Sequence, residues 1–335
     1  RVVEAMVAAT KEYGAGAGSD RSIAGDTSLH RALDERLAEF KGAPASLTFQ
    51  TGFMTNQGII AQLAGEGDLY VSDELNHGSI IDGMRLTKAD KAIYKHKDVD
   101  DLARIMEEAE THQPPYEQIW IVTDGVFSMD GDLAPLPEIA DIAAKHGAAV
   151  YVDDAHGEGV LGHGGRGIVD HFDLHGKFDV EIGTFSKAFG VVGGIIAGKE
   201  LIIDFLRQNA RPFLFSNAVT AADSAACLAA VEVLSASTAL VDKLWENTEY
   251  FKEEMKSLGF DVGQSVTPIT PVMLGDVKLA KKFSRRLFDE QVFAMALGFP
   301  TVSKGLARIR VMVSAALSQD DLDFGLEKFE QIGKE

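Results

Sequence analysis

Apolar runs of strand length alternate along the chain with stretches whose apolar residues recur at helical spacing. "QIWIVTDGVF" (118–127), "AAVYVDDA" (148–155), "FDVEIGTF" (178–185) and "GGIIAG" (193–198) read as short buried strands. Between the first two lies "PLPEIADIAAKHG" (135–147). Its prolines open a helix, apolar residues at 136, 139, 140, 143 and 144 share one face, and Gly147 closes it. A strand–helix–strand unit of this kind implies a parallel sheet. Further helices are predicted over 27–40, 54–64, 100–110, 200–209 and 218–234. After about residue 235 the texture changes: helices at 239–257 and 277–291 flank short strands such as "ARIRVMVSA" (307–315). The pattern predicts an α/β fold, with a large domain over 1–235 built on a mostly parallel central sheet. A smaller α+β domain is expected over 236–335. No repeat or low-complexity segment interrupts it.

Length agrees with this division, since 335 residues exceed one ordinary core. Charge narrows the partners. There are 32 Lys and Arg against 51 Asp and Glu, a net charge of −19, which repels nucleic acid and anionic membranes. Neither is an expected partner, although a local basic pocket still admits an anionic substrate. No apolar run approaches the roughly 18 residues of a membrane helix, and no secretory signal is expected. The single cysteine, Cys227, lies in a helical pattern, so no intramolecular disulfide forms and a reducing cytoplasm is the expected compartment. The chain opens at Arg1 already in helical rhythm, and a further N-terminal segment is expected to precede it.

Two glycine-rich stretches imitate nucleotide motifs. "GEGVLG" (157–162) matches G-x-G-x-x-G, but "HGGRGIVDHF" follows it and is too rich in glycine to open the helix that a dinucleotide fold requires. "GGIIAGK" (193–199) has the spacing of a phosphate loop, but Glu200 stands where Ser or Thr must hold Mg²⁺. Its apolar centre reads as a strand.

The chemistry concentrates in "VYVDDAHGEG" and "GTFSKAFG". The first places Asp153 and His156 at the C-terminal end of a central strand, where open α/β sheets hold their ligands. The second places Lys187 just past another strand end among small residues. Such a lysine allows a cofactor to approach closely, and desolvation there would favour its free amine. Alone, Asp153 and His156 read as half a metal site or a strand-end hydrogen bond, and the lysine as a solvated turn residue. Together they suggest pyridoxal phosphate. Lys187 would form the Schiff base, and the carboxylate would keep the ring nitrogen protonated so that the ring serves as an electron sink. No metal site is expected. The phosphate needs backbone amides at a helix start plus hydroxyls. Gly52 and Phe53 in "FQTGFMTNQGIIAQL" supply a tight turn into a helix, Thr184 supplies a hydroxyl, and Ser216 lies near another predicted helix start. His77 offers an aromatic face for stacking on the ring. Ser216 also reads as a plain N-cap, and His77 as a surface histidine.

With these residues in place, "TDGVFSMDGDLAPL", "VDDAHGEGVLG", "GTFSKAFGVVGG", "RPFLFSN" and "ARIRVMVSAA" resemble, in order, the motifs of the α-oxoamine synthases. These are fold-type I pyridoxal-phosphate enzymes that join an amino acid to an acyl-CoA. The resemblance runs from about residue 14 to 330. It implies that Lys187 forms the Schiff base and moves the Cα proton, that Asp153 pairs with the ring nitrogen, and that His156 and Ser128 bond the ring hydroxyl. It implies stacking by His77, and phosphate contacts from Gly52, Phe53 and Thr184, with Ser216 reaching the phosphate of a second subunit in a homodimer. Arg310 would bind the amino-acid carboxylate, and Thr301 lies where the family contacts substrate. Family members carry a further N-terminal stretch that packs on the small domain, and this chain starts after it.

Within that family "SDELNHGSIIDGMRL" looks most like glycine C-acetyltransferase. The expected reaction is therefore condensation of glycine with acetyl-CoA to 2-amino-3-oxobutanoate and CoA. The alternative is an enzyme that takes a longer acyl-CoA with alanine and releases CO₂, as in biotin synthesis. A non-catalytic scaffold of this fold would be expected to lack the lysine or the aspartate, and both are present.

Overall fold

The computed structural model describes residues 1–335 as two compact units. The larger comprises Arg1–Val126 and Ala134–Ser237, the smaller Phe127–Leu133 and Thr238–Glu335. A division by sequence position alone puts the strap Phe127–Leu133 in the large domain. Its hydrogen bonds to the smaller unit explain the difference: Arg308 Nη1 donates to Met129 O (2.9 Å) and Asp130 Oδ1 (2.5 Å), and Thr267 Oγ1 donates to Gly131 O (2.9 Å).

The larger unit is built on seven strands: β1 Ala45–Phe49, β2 Leu69–Asp73, β3 Asp90–Tyr94, β4 Ile119–Asp124, β5 Ala149–Asp153, β6 Val180–Thr184 and β7 Gly194–Gly198. Their order is β1-β7-β6-β5-β4-β2-β3, and β7 alone runs against its neighbours. The helix Leu136–His146 connects β4 to β5, as the strand–helix–strand pattern requires. Both faces of the sheet are covered. Ile196 packs with Phe49, Tyr70 and Tyr151 under the helices Gly52–Leu63, Gly78–Arg85 and Glu200–Asn209. Its neighbours Ile195 and Ala197 face the other way, toward the helices Ser28–Lys41 and Ala221–Ala236. Burial on both faces explains why these strands read as continuous apolar runs.

The smaller unit has three antiparallel strands, β8 Ile269–Gly275, β9 Met295–Leu297 and β10 Ala307–Met312, in the order β8-β10-β9. The helices Ala239–Ser257, Val277–Asp289 and Gln319–Gly333 cover the sheet with a core that includes Phe251, Phe283, Leu287, Ile309 and Phe329. No single helix of the chain is long and apolar enough to cross a membrane.

One buried ion pair pins the loop before the helix Ser28–Lys41. Arg21 Nη2 lies 2.8 Å from Asp34 Oδ2, Arg21 Nε lies 2.8 Å from Asp26 Oδ1, and Asp34 Oδ1 accepts from Thr48 N of β1 at 2.9 Å. Removing one partner of a buried pair strands the other charge, at a cost of about 3–5 kcal/mol. Arg21→Met is therefore expected to lower the thermal unfolding midpoint markedly, and Asp34→Asn in the same background to recover part of the loss. Calorimetry of the three proteins checks this.

Candidate active site

The C-terminal ends of β4, β5 and β6 form one edge of the sheet. The parallel register sets Asp124 of β4 directly beside Asp153 of β5. Asp153 is buried, its Oδ1 accepting from Ala155 N (3.0 Å) and its Oδ2 from Asn56 Nδ2 (2.7 Å). His156 follows in the turn after β5, half-buried. Lys187 lies in the turn between β6 and β7, where Gly190 N closes back onto Lys187 O at 3.1 Å. The sequence predicts a desolvated lysine, but Lys187 is exposed. The small residues around it admit close approach, and the chain's own side chains do not enclose it.

The helix Gly52–Leu63 starts against the same edge. Thr51 caps it by accepting from Met54 N at 3.1 Å, so the helix begins two residues earlier than its apolar spacing predicts. A Cβ on Gly52 would lie 3.0 Å from Thr184 Cβ and 3.1 Å from Thr184 Oγ1. A Cβ on Gly194 would lie 2.7 Å from Gly52 N. Glycine at both positions keeps the first-turn amides of Gly52 and Phe53 close to the Thr184 hydroxyl, and Ser186 Oγ lies 3.0 Å from Thr184 Oγ1. A helix start of this kind carries amides without intrahelical partners and a favourable dipole, which suits a phosphate.

Asn56, one turn into that helix, was not legible in the sequence. Its Nδ2 donates to Asp153 Oδ2 and to Ser79 Oγ (2.8 Å), and its Oδ1 accepts from the Tyr151 hydroxyl. Burial, then the nearby Asp153 charge, push the Tyr151 phenol well above its usual range, so it remains a donor. Ser79 Oγ in turn lies 2.7 Å from His77 Nδ1, which also accepts from Ser79 N at 3.2 Å. His77 thus caps the helix Gly78–Arg85, with its ring oriented and exposed. Asp124 holds it from behind by accepting from His77 N at 2.6 Å. Burial and then the Asp153 charge push the Asp124 carboxyl well above the usual carboxylate range, against the His77 amide and the charge of Lys187. Asp124 appears in the sequence only as one residue of "TDGVF", with nothing local to mark it.

The remaining candidates are placed as follows. Phe53 is exposed on the first turn of its helix. Ser216 is half-buried and ends the short helix Arg211–Phe215 rather than starting one, while Thr220 caps the next helix through Asp223 N. Ser128, Arg310 and Thr301 belong to the smaller unit. Arg310 Nε donates to Ser128 O at 2.7 Å, and burial pulls the Arg310 guanidinium below its usual range. Thr301 is exposed in a turn, its N–H donating to Gly298 O at 2.9 Å. The two nucleotide-like stretches are structural. Residues 194–198 of "GGIIAGK" are β7, and Gly159 of "GEGVLG" leaves room for Ala188, whose Cβ would lie 2.3 Å from one on Gly159.

Residues 1–329 match the model of the aminotransferase class I and II family. The chain belongs to that family. It is 59% identical over 335 residues to the 8-amino-7-oxononanoate synthase of Fervidobacterium nodosum, covering 100% of this chain and 85% of that protein. It is 57% identical over 334 residues to the enzyme of the same name from Thermosipho melanesiensis, covering 100% and 84%. Among solved structures, a serine palmitoyltransferase from S. paucimobilis with a bound PLP–myriocin aldimine superposes with a TM-score of 0.94 at 30% identity, covering 99% of this chain and 83% of that one. An 8-amino-7-oxononanoate synthase from Francisella tularensis gives 0.83 at 27% identity, covering 100% and 93%. The fold is that of an α/β fold-type I transferase related to the α-oxoamine synthases. These relatives favour the alternative over the finer reading taken from the segment around His77. They carry the name of the decarboxylating alternative rather than that of glycine C-acetyltransferase.

Asn56 uses both amide hydrogens and its oxygen inside the network, so replacing it strands the Asp153 Oδ2 and Tyr151 hydroxyl groups and leaves Ser79 with His77 alone. Each unsatisfied group costs about 1–3 kcal/mol. Asn56→Leu is expected to lower the urea midpoint and to loosen both Asp153 and His77, which unfolding curves and amide hydrogen exchange in the helix Gly78–Arg85 would reveal.

Proposed function

We propose that this chain is a pyridoxal-phosphate-dependent α-oxoamine synthase that joins alanine to a seven-carbon dicarboxylic acyl thioester with loss of CO₂. The observation that carries the reading is the convergence of Lys187, Asp153 and the Gly52 helix start on one edge of the sheet, in a chain so similar to 8-amino-7-oxononanoate synthases. That product name contains its own disconnection. It is a nine-carbon chain with a ketone at carbon seven and an amine at carbon eight. Breaking the bond between those carbons leaves a seven-carbon acyl group, pimeloyl, and the two carbons that remain of alanine without its carboxylate. In the forward sense the alanine Cα bonds to the thioester carbonyl, the C–S bond breaks to release the thiol, and the carboxylate leaves as CO₂.

The residues fit the cofactor. The Gly52 and Phe53 amides with Thr184 would hold its phosphate, Lys187 its aldehyde carbon, and His77 one ring face. Bound there, pyridoxal phosphate supplies an electron sink for charge developing on the amino-acid Cα. Asp153 is held by Asn56 and Ala155 N, so its carboxylate is oriented before any ligand arrives and would keep a proton on the ring nitrogen. The Lys187 amine would take the Cα proton of alanine. His156 and Ser128 are proposed for the ring hydroxyl, Arg310 for the alanine carboxylate and Thr301 for a substrate contact. A homodimer in which Ser216 reaches the partner's phosphate completes the proposal. A cytoplasmic setting agrees with the single buried thiol of Cys227.

The test is direct. With carboxyl-labelled alanine and pimeloyl-CoA, the loaded enzyme is expected to release labelled CO₂ and thiol in equal amounts. Glycine with acetyl-CoA should give a kcat/KM at least about ten-fold lower, because a pocket shaped for a methyl group gains from filling it. Faster turnover of glycine and acetyl-CoA, with no CO₂, would overturn the assignment. Lys187→Ala is expected to fold, to lose the visible absorbance of the bound cofactor and to be inactive.

A further inference from the structure

A second cluster of charges lies outside the residues so far given roles. Lys41, the last residue of the helix Ser28–Lys41, places Nζ 3.0 Å from Asp154 Oδ2, 3.6 Å from Glu158 Oε1 and in contact with Glu181 Oε1. All four side chains are buried. Both Glu158 oxygens and Asp154 Oδ1 have no hydrogen-bond partner. Three carboxylates around one ammonium are a poorer filling for a core than apolar side chains of the same volume. No group of three or more His, Cys, Asp or Glu in the structure is arranged to hold a metal. The cluster's position suggests what it does instead.

Two of the three carboxylates, Asp154 and Glu158, occupy space that glycines leave open. A Cβ on Gly157 would lie 2.0 Å from Asp154 Oδ1, one on Gly167 1.9 Å from Asp154 Oδ2, and one on Gly183 2.0 Å from Glu158 Oε2. Gly183 precedes Thr184, and Gly159, next to Glu158, fits under Ala188, next to Lys187. Asp154 follows Asp153 directly and donates its N–H to Ile182 O of β6 at 2.7 Å. The cluster therefore braces the turn that carries Asp153 and His156 against the strand and turn that carry Thr184 and Lys187. One lysine from a third element ties them together.

We propose that Lys41, with Asp154, Glu158 and Glu181, is a positioning device that fixes the Lys187 turn relative to the Asp153 carboxylate. The proposal rests on the cofactor reading above. Lys41 does not touch the reacting atoms and acts through the two turns that it joins.

The cluster also makes the brace sensitive to pH. Burial pushes Glu158 up to about 7 and Glu181 up to about 8, with Lys41 opposing both shifts. Burial likewise raises Asp154, again against Lys41. Burial works against the Lys41 charge, but its three carboxylates outweigh it and hold the amine above the usual lysine range. The other titratable groups facing Glu158 are Asp153 on β5 and the Cys227 thiol on the helix Ala221–Ala236. An unfolded glutamate titrates near 4.5, so between that value and 7 to 8 the native state binds more protons than the unfolded state. The stability contribution is present in full below 4.5 and is lost as pH rises through 7 and 8.

The experiment compares cofactor-loaded wild type with Glu158→Gln, Lys41→Met and Lys41→Met/Glu181→Gln. The last leaves two carboxylates without their cation rather than three, so it perturbs folding less than the single Lys41 variant, and Glu158→Gln keeps the cation in place. Readouts are unfolding between pH 5 and 9, the visible circular dichroism of the bound cofactor, and kcat and KM for alanine. Glu158→Gln is expected to flatten the fall in stability over that range. In Glu158→Gln and the double variant, the cofactor dichroism should change and kcat should fall about ten-fold with KM within two-fold, as a small misplacement of reacting groups produces. Wild-type dichroism and kcat in both folded variants would overturn the proposal. A wild-type chain that takes up no pyridoxal phosphate would instead overturn the cofactor reading, which separates the two failures.

Discussion

The seating of the helix Gly52–Leu63 on the ends of β6 and β7 is the constraint from which the candidate site follows. Its first residue has no side chain, so the helix start lies against Thr184 and Gly194. One turn later Asn56 reaches Asp153 with one amide hydrogen and Ser79 with the other. Through Ser79 the same helix sets the ring of His77. The proposed phosphate cradle, ring-nitrogen partner and stacking face are thus spaced by the pitch of a single helix. A shift of that helix would move all three together, which is why the glycines at its contact leave no slack.

Charge reinforces this geometry. The parallel register brings Asp124 and Asp153 side by side, and burial together with the Asp153 charge disfavours ionisation of Asp124. The raised Asp124 carboxyl accepts from the His77 amide, while Asp153 accepts from Asn56 and from Ala155 N. On the other side of Asp153, Lys41 gathers three carboxylates beneath the lysine turn. The −19 net charge is an average over the surface. The balance of single buried charges is what organises this edge.

Much of the architecture was legible along the chain because its strands are buried on both faces and its helices carry one apolar stripe. The unit Ile119–Asp124, Leu136–His146, Ala149–Asp153 agrees with its pattern to within a few residues at each end. The lysine turn and the Asp153 strand end were legible for a different reason: glycine, alanine and serine around a lone lysine are unusual. Asn56 and Asp124 gave no such signal. A polar residue in a helix and an aspartate after a strand are ordinary until the partners they meet are known. Ser216 illustrates the opposite error, since a serine ahead of an apolar run reads as a helix start when the preceding "RPFLF" is itself helical.

By itself, then, the sequence determined the alternation of strands and helices and singled out Lys187 and Asp153 as candidates, because each depends on residues adjacent in the chain. Which family member the chain most resembles rested on similarity over its whole length, and a short stretch around His77 pointed elsewhere. Only the tertiary structure decided that the strap Phe127–Leu133, with Ser128, packs with the small unit and Arg310. It also decided that Lys41, more than a hundred residues before its carboxylates, closes the brace beneath Lys187. Such contacts are set by which strand ends the sheet order brings together, and no local pattern encodes that order.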